Sequence, residues 1–525
     1  MTMKKATAIL FIGLAVLGAS CKKYLNINTN PNQATSATPE LILPQALTAT
    51  ASTLNVYNTY GAQLVGYSAN AGGYGGFGTS ITYNFAASDF SALWANTYDN
   101  LEDYQTIINQ TSTQLPGYGY FNAVARIMRA FDFQLLADAY NDVPYTDALK
   151  GTDNLTPTYT PAATIYASLA DQLDSAIATI NATTAASGVA ISTLGSSDVL
   201  FKSDMTKWKQ FANTLKLRLI VRGGSKVSFK NTSFSGDGFL SSDALVNPGY
   251  TRDNNRQNPA WNQWGFAYTG GDANKAWIPT KFILSFYNGN KLQDGDRGAV
   301  AYYQFPSTGT NQLGYESVDN PKCPSGSFWY SGSERTGTAA GNSAGILKGP
   351  NAGFPVMLAA ESYLLQAEGV VRGIITGDAK VAFNNGVKAS FAYLYSKPDG
   401  TGASDADLAS MVAGYQSDNS SSALVNFDLA TTTDMQIESI ITQKYIALNY
   451  INSQESWNEY RRTGYPRIVN GSADAVQTFA STQSQSTRPD KLPTRIQYPS
   501  TEGSYNPRNV PKNISVFSSL IFWAK

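Results

Sequence analysis

The sequence predicts a mostly α protein: a scaffold of tetratricopeptide-like helix pairs, joined to an irregular, loop-rich half containing a few short strands. Three observations carry that expectation. Apolar residues recur with a helical period in long segments spread along the chain. Strand-like alternation is confined to short runs. Two stretches, about 225–355 and 465–525, are rich in Gly, Asn, Pro and aromatic residues and show neither period. Structureless loops of that length in a compact protein are usually functional.

The helical segments follow in order. "SDFSALWANTYDNLEDYQTIINQ" places Phe90, Leu93, Leu101 and Ile108 on one side, behind a Ser88/Asp89 cap. "YFNAVARIMRAFDFQLLADAY" repeats Phe121, Val124, Met128, Phe131 and Leu135. "TPAATIYASLADQLDSAIATI" reads Thr160 as N-cap and Pro161 as the first helical residue, with Tyr166, Leu169, Leu173, Ile177 and Ile180 as its stripe. "SDMTKWKQFANTLKLRLIVRGG" carries Trp208, Phe211, Leu215 and Leu219 and stops at Gly223. "PVMLAAESYLLQAEGVVRG" and "GDAKVAFNNGVKASFAYLYS" read as helix, turn, helix, and "TDMQIESIITQKYIALNYINSQESWNEYRR" closes the set. The strict tetratricopeptide consensus is absent, so the solenoid expectation rests on spacing.

The first residues have the layout expected of a secretory signal: Lys4 and Lys5, then the short apolar run "AILFIGLAVLGA". That run is shorter than the ~20 residues a bilayer-spanning helix needs. It ends in "LGAS" directly before Cys21, a layout that resembles a bacterial lipobox with Gly18 where Leu is usual. Residues 1–20 are therefore expected to be a lipoprotein signal peptide and Cys21 the lipid attachment point, with an incidental cysteine beside an ordinary cut site as the alternative. The mature unit, 21–525, then keeps one thiol, Cys323, which has no partner for an internal disulfide. No clean linker divides it.

Composition excludes several classes of function. Lys and Arg total 38, Asp and Glu total 38, so no basic excess points to nucleic acid. Charged residues make up 14%, against about 25% in an ordinary soluble domain, and neutral hydrogen-bonding residues fill the gap. There is no histidine. Ser-His-Asp and Cys-His nucleophiles, His-ligated zinc and H-E-x-x-H peptidases are thereby ruled out. Carboxylate-pair chemistry, as in a glycosidase, stays possible.

Several motifs have competing readings. "GGYGGFG" at 72–78 contains G-x-G-x-x-G as Gly73, Gly75 and Gly78, without the preceding strand a dinucleotide fold requires. An aromatic-tipped loop fits better. "QNPAWNQWGFAYTGGDANKAWIP" gathers Trp261, Trp264, Phe266, Tyr268 and Trp277 among Gly, Asn and Pro. Such rings either pin the loop to the helices or present flat faces on which sugar C–H faces stack. Trp264, Tyr268 and Trp277, with Tyr74, are the candidate ligand-binding residues. Asp294 and Asp296 beside Arg297 read as a turn with a local salt bridge and not as an EF-hand. Glu361 and Glu368 are read as exposed or capping residues, and Arg461 and Arg462 as fixing a helix end.

The segments "CKKYLNINTNPNQAT", "RAFDFQLLADAYNDVPYTDALKG", "LTPTYTPAATIYASL", "ESYLLQAEGVVRG", "VKAS", "WNEYRRTGYP" and "RIQYPSTEGSYN" together resemble the SusD/RagB family of nutrient-binding outer-membrane lipoproteins. The matches run in family order from Cys21 to about Asn506. Asp296-Arg297 resembles the family's D-P-R turn without its proline. The resemblance implies a tetratricopeptide-like scaffold with a loop-rich half and a non-catalytic, surface-exposed, lipid-anchored protein without cofactor. It further implies capture of oligosaccharides or peptides and delivery to a TonB-dependent (SusC-like) outer-membrane transporter. Ligand contacts vary across the family, so none is carried over. A surface glycosidase and a structural lipoprotein without small ligand are the alternatives.

Overall fold

The computed structural model describes residues 37–74, 77–315, 329–330 and 343–525; Cys21 and Cys323 lie outside them. The long helices are α1 (Pro39–Leu64), α2 (Ser91–Thr111), α3 (Gly119–Tyr140), α4 (Ala162–Ala185) and α5 (Met205–Gly223). After an irregular excursion come α6 (Ala359–Val371), α7 (Ala379–Tyr395), α8 (Asp405–Asp418), α9 (Thr433–Ala447) and α10 (Ser453–Thr463). Each of α1 to α7 packs on the next, as helix pairs require, and α9 packs on α6. The last long helix, α10, returns to pack on the first, α1. The scaffold closes on itself.

The apolar stripes read from sequence face this core. Leu93, Leu101, Phe121, Met128, Tyr166, Leu169, Trp208 and Phe211 are all fully or almost fully buried. Local chemistry sets most of the ends. Asp204, Asp378 and Thr432 cap α5, α7 and α9 by accepting from the third backbone N–H beyond them. Ser404 and Asp407 form a reciprocal capping box on α8. Two expected caps shift. α2 begins after Phe90, in the left-handed region (φ 57°), while the Asp89 carboxylate is occupied by the Ala86 N–H at 2.8 Å. Thr160 lies in a strand, and Pro161 is the cap of α4 instead of its first residue. The segment 433–462 is two helices, because Tyr450 (φ 58°) breaks the run.

Three two-stranded antiparallel sheets organise the irregular half. β1 (Ser68–Asn70) pairs with β5 (Trp277–Pro279), and β2 (Val143–Pro144) with β3 (Tyr159–Thr160). β4 (Ala244–Val246) pairs with β6 (Phe354–Met357) and thus pins the two ends of the long excursion between α5 and α6. The C-terminal stretch sews α3 to α10. Tyr498 donates to the Asp142 carbonyl at 2.7 Å, Trp523 to the Asp138 carboxylate at 3.0 Å, and the Phe522 N–H to Asn141 Oδ1 at 2.7 Å.

α10 is the centre of the molecule, although it is a polar helix: all eleven of its residues, SQESWNEYRRT, are buried. Burying charge is costly unless each group is paired, and here nearly every one is. Arg222 of α5 meets Asp138 at 2.6 Å and Glu459 at 3.1 Å, and also pairs with Glu455. Lys444 of α9 lies 2.8 Å from Glu455 and 3.0 Å from Glu459. Arg462 pairs with Glu459 and lies 2.7 Å from Glu368. Burial opposes ionisation of Glu455, yet Arg222 and Lys444 hold its carboxyl down at about 2. α1 approaches this helix backbone to backbone at Gly61, where a Cβ would lie 2.4 Å from the Gln454 nitrogen.

Candidate functional site

The "GGYGGFG" loop follows β1, and the Trp-rich stretch leads into β5, so the β1–β5 pairing brings the two aromatic motifs together. In the register, Asn70 opposes Trp277, and the Ala71 N–H extends the ladder to the Ala276 carbonyl at 2.8 Å. Asn70 is fully buried; its Nδ2 donates to the Tyr74 carbonyl (3.3 Å) and its Oδ1 accepts from the Gly72 N–H (2.7 Å). Asn274 brackets Trp277 in the same way, accepting from its N–H and donating to its carbonyl. Asn311 bridges the Asn70 and Tyr315 carbonyls at 2.7 and 2.6 Å. Three buried asparagines therefore hold backbone, and the side chains between them are left to face outward.

Those side chains include several aromatic rings beside one exposed cation, Lys275. Tyr74 and Tyr315 are 40% and 44% exposed. Trp277 is half-buried, with Phe77 packed edge-on to it at 4.5 Å between ring centres. The fixed ring faces suit stacking on a neutral, amphipathic ligand. Phe77 and Tyr315 were not among the sequence candidates, although Phe77 belongs to the quoted loop.

The remaining candidates separate. Tyr268 is 43% exposed at the tip of the turn closed by the Phe266–Asp272 bridge, and Arg252 holds its carbonyl at 3.0 Å. Trp264 is corrected from ligand face to core. It ends the short helix Pro259–Trp264, is 4% exposed, and packs on Tyr450 and Trp329, with ring centres 5.1 and 6.0 Å away. Its place in a helix turns the ring inward, as aromatics in helices mostly do.

The carboxylates also find their places. Asp294 caps a short helix, accepting from the Arg297 N–H, and pairs with the Arg297 side chain at 2.6 Å, as the turn reading expects. Both groups are buried, and Arg297 lies over the Phe391 and Tyr415 rings. Glu361 and Glu368 are corrected from exposed to fully enclosed: Arg218 pairs with Glu361 at 3.2 Å and Arg462 with Glu368. Burial raises the Glu361 carboxyl; at Glu368 burial acts the same way, but Arg462 outweighs it and holds the group down. Neither faces a cleft where substrate would meet it. Arg461 donates to the Thr494 carbonyl at 3.0 Å and so ties the helix end to the following loop, as expected. Among the described residues no cluster of His, Cys, Asp and Glu suits a metal ion, and no helix is long and apolar enough to cross a membrane.

The fold is thus a closed helical scaffold carrying a loop-built surface of exposed aromatic rings. The sequence pattern of the SusD-like family, described as "Starch-binding associating with outer membrane", matches residues 31–499, and the chain belongs to that family. Solved structures share the fold. A SusD/RagB family protein from Bacteroides thetaiotaomicron is 18% identical, with a TM-score of 0.67, covering 93% of this chain and 99% of its own. A chitin-binding protein is 22% identical, with a TM-score of 0.65 and coverage of 93% and 99%. A chitin-binding SusD homologue from Flavobacterium johnsoniae is 20% identical, with a TM-score of 0.63 and coverage of 91% and 98%. No curated protein matches.

Proposed function

We propose that the protein is a non-catalytic, lipid-anchored outer-membrane protein that captures oligosaccharides on the aromatic surface around Trp277, Tyr74 and Tyr315. It then delivers them to a partner TonB-dependent transporter. The observation that carries this reading is the convergence of two separate aromatic motifs through the β1–β5 pairing, braced by Asn70, Asn274 and Asn311. Family membership supports it, as do relatives named for chitin binding. Rings held from behind lose little freedom when a sugar stacks on them. Tyr268 extends the surface in this proposal. Cys21 is the anchor in this proposal.

The test is binding of soluble chitin and starch oligosaccharides by titration calorimetry. Tyr74→Ala and Trp277→Ala should each weaken binding by about 1 kcal/mol, roughly fivefold, with the far-ultraviolet spectrum unchanged. Unchanged affinity in both would move the site elsewhere. Release of shorter sugars above background would overturn the non-catalytic reading. Isolation in mild detergent should bring a large β-barrel transporter along at near-equal amount; recovery alone would refute delivery.

A further inference from the structure

Among the cations gathered at α10, Arg461 alone meets no carboxylate. Arg218, Arg222, Lys444 and Arg462 each pair with at least one. The Arg461 guanidinium donates instead to the carbonyls of Thr494 (3.0 Å) and Asp138 (2.8 Å) and to Asn458 Oδ1 (2.5 Å). It lies between the indole rings of Trp457 and Trp523, 5.3 and 4.9 Å from their centres. Its Nε is buried with no hydrogen-bond partner. Burial pushes the group down to about 10, in contrast to the well-paired Arg222, which is raised. An arginine 6% exposed and lacking a counter-charge is costly to keep.

Arg461 also forms a wall of a cavity of about 80 Å³ whose other charged walls are Arg488, Asp490 and Lys525. A single water needs roughly 10–15 Å³ of such space, so a group of four or five heavy atoms fits. Arg488 and Asp490 pair with each other at 3.2 Å, and Lys525 carries a terminal carboxylate beside an ammonium that donates to the Thr463 carbonyl at 3.1 Å, which leaves Arg461 as the excess positive charge. The cavity is the floor of an outer cleft of about 550 Å³, for Tyr460, Gly464, Arg488, Asp490 and Lys525 line both. The floor is thus reachable from outside and attractive to negative charge.

We infer that this cavity is a second binding site, which takes a compact oxyanion, a carboxylate or sulfate group, against Arg461 and Arg488. Guanidinium groups match such anions through paired N–H donors. The anion enters as a free ion or as the acidic substituent of a sugar. The site is separate from the aromatic surface and does not depend on it.

The experiment is titration of the purified protein with sodium sulfate, sodium glucuronate and glucose at constant chloride concentration. Sulfate, glucuronate or both should bind at one site per chain, and glucose should not. Sulfate alone assigns the site to the free ion, and glucuronate alone to an acidic sugar. Arg461→Ala risks the fold, so the rim is varied. Arg488→Ala should weaken anion binding roughly tenfold, the worth of one charge-assisted contact, and Asp490→Asn should tighten it. Failure of both anions to bind the wild type, or unchanged affinity in Arg488→Ala, would overturn the proposal. Oligosaccharide binding at the aromatic face stays unchanged in Arg488→Ala, so the two sites fail or stand independently.

Discussion

Replacing Asp132 by Asn should stabilise the protein at neutral pH, and increasingly so as pH rises. Asp132 sits on α3 with no exposed surface. Asn100 donates to one of its oxygens at 2.8 Å, and the other has no partner. No cation pairs with it among the described residues. Burial therefore pushes its carboxyl up to about 8. The sign follows from proton counting. Between about pH 4 and pH 8 the folded chain keeps this proton and the unfolded chain has lost it, so stability falls as pH rises across that window and levels off above it. Each pH unit is worth about 1.4 kcal/mol, so from pH 4 to pH 7 the buried carboxyl costs on the order of 4 kcal/mol. Asn carries no proton to lose. An amide N–H left unpartnered would cost about 1–3 kcal/mol, but that penalty does not change with pH. Unfolding entropy near 2 cal/mol/K per residue gives ~1 kcal/mol/K for a chain of this size. The Tm of Asp132→Asn relative to wild type should therefore climb by about 4 °C between pH 4 and pH 7 in scanning calorimetry. Parallel Tm profiles across that range would refute the assignment of a buried, proton-holding carboxyl.

Three further outcomes follow from the packing around α10. Arg222→Met deprives Asp138, Glu455 and Glu459 of a shared cation and should cost about 3–5 kcal/mol; a Tm within a degree of wild type would contradict the network. Gly61→Ala puts a Cβ within 2.4 Å of the Gln454 nitrogen and 2.5 Å of the Ser453 carbonyl carbon, backbone that cannot step aside. A loss of about 1–3 kcal/mol by denaturant melt is expected. Gly414→Ala, which meets open space on α8, should instead gain about 1 kcal/mol, and this pair separates close approach from helix propensity.

The helices with a clean apolar stripe were legible in the sequence, because a two-sided environment writes a two-sided pattern. α3 and α5 match their predicted spans within a residue or two, while α4 runs on to Ala185, five residues past the predicted stripe. α1 was not foreseen. It is buried against α2, α10 and the loops, and its inward residues include Thr50, Thr53, Asn55, Asn58 and Gly61 alongside Leu43 and Leu54. Its outer stripe, Leu41, Gln45, Thr48, Ser52, Val56 and Thr59, mixes apolar and polar residues as the inner side does, so hydropathy does not mark the period. α8 was missed for the opposite reason: only Leu408 and Tyr415 of its residues are buried. In the candidate site, sequence placed Tyr74 and Trp277 in loops, but the β1–β5 pairing that joins them links residues about 200 apart. Trp264 and Trp277 are alike in local composition, and only the short helix around Trp264 distinguishes core from surface. The burial of Glu361 and Glu368 was invisible because their partners, Arg218 and Arg462, are distant in sequence.

The return of α10 onto α1 changes how the scaffold can come apart. An open array of helix pairs frays from its ends, since each terminal repeat has one neighbour and stability adds up unit by unit. Here the first long helix is clasped by the last, so no unit is terminal. Amide hydrogens of α1 should exchange as slowly as those of α3, deep inside, and opening anywhere must first break the clasp at Gly61 and Ser453. The helical half behaves as one hoop rather than a stack, a rigid mount on which the loop-borne aromatic face keeps its shape.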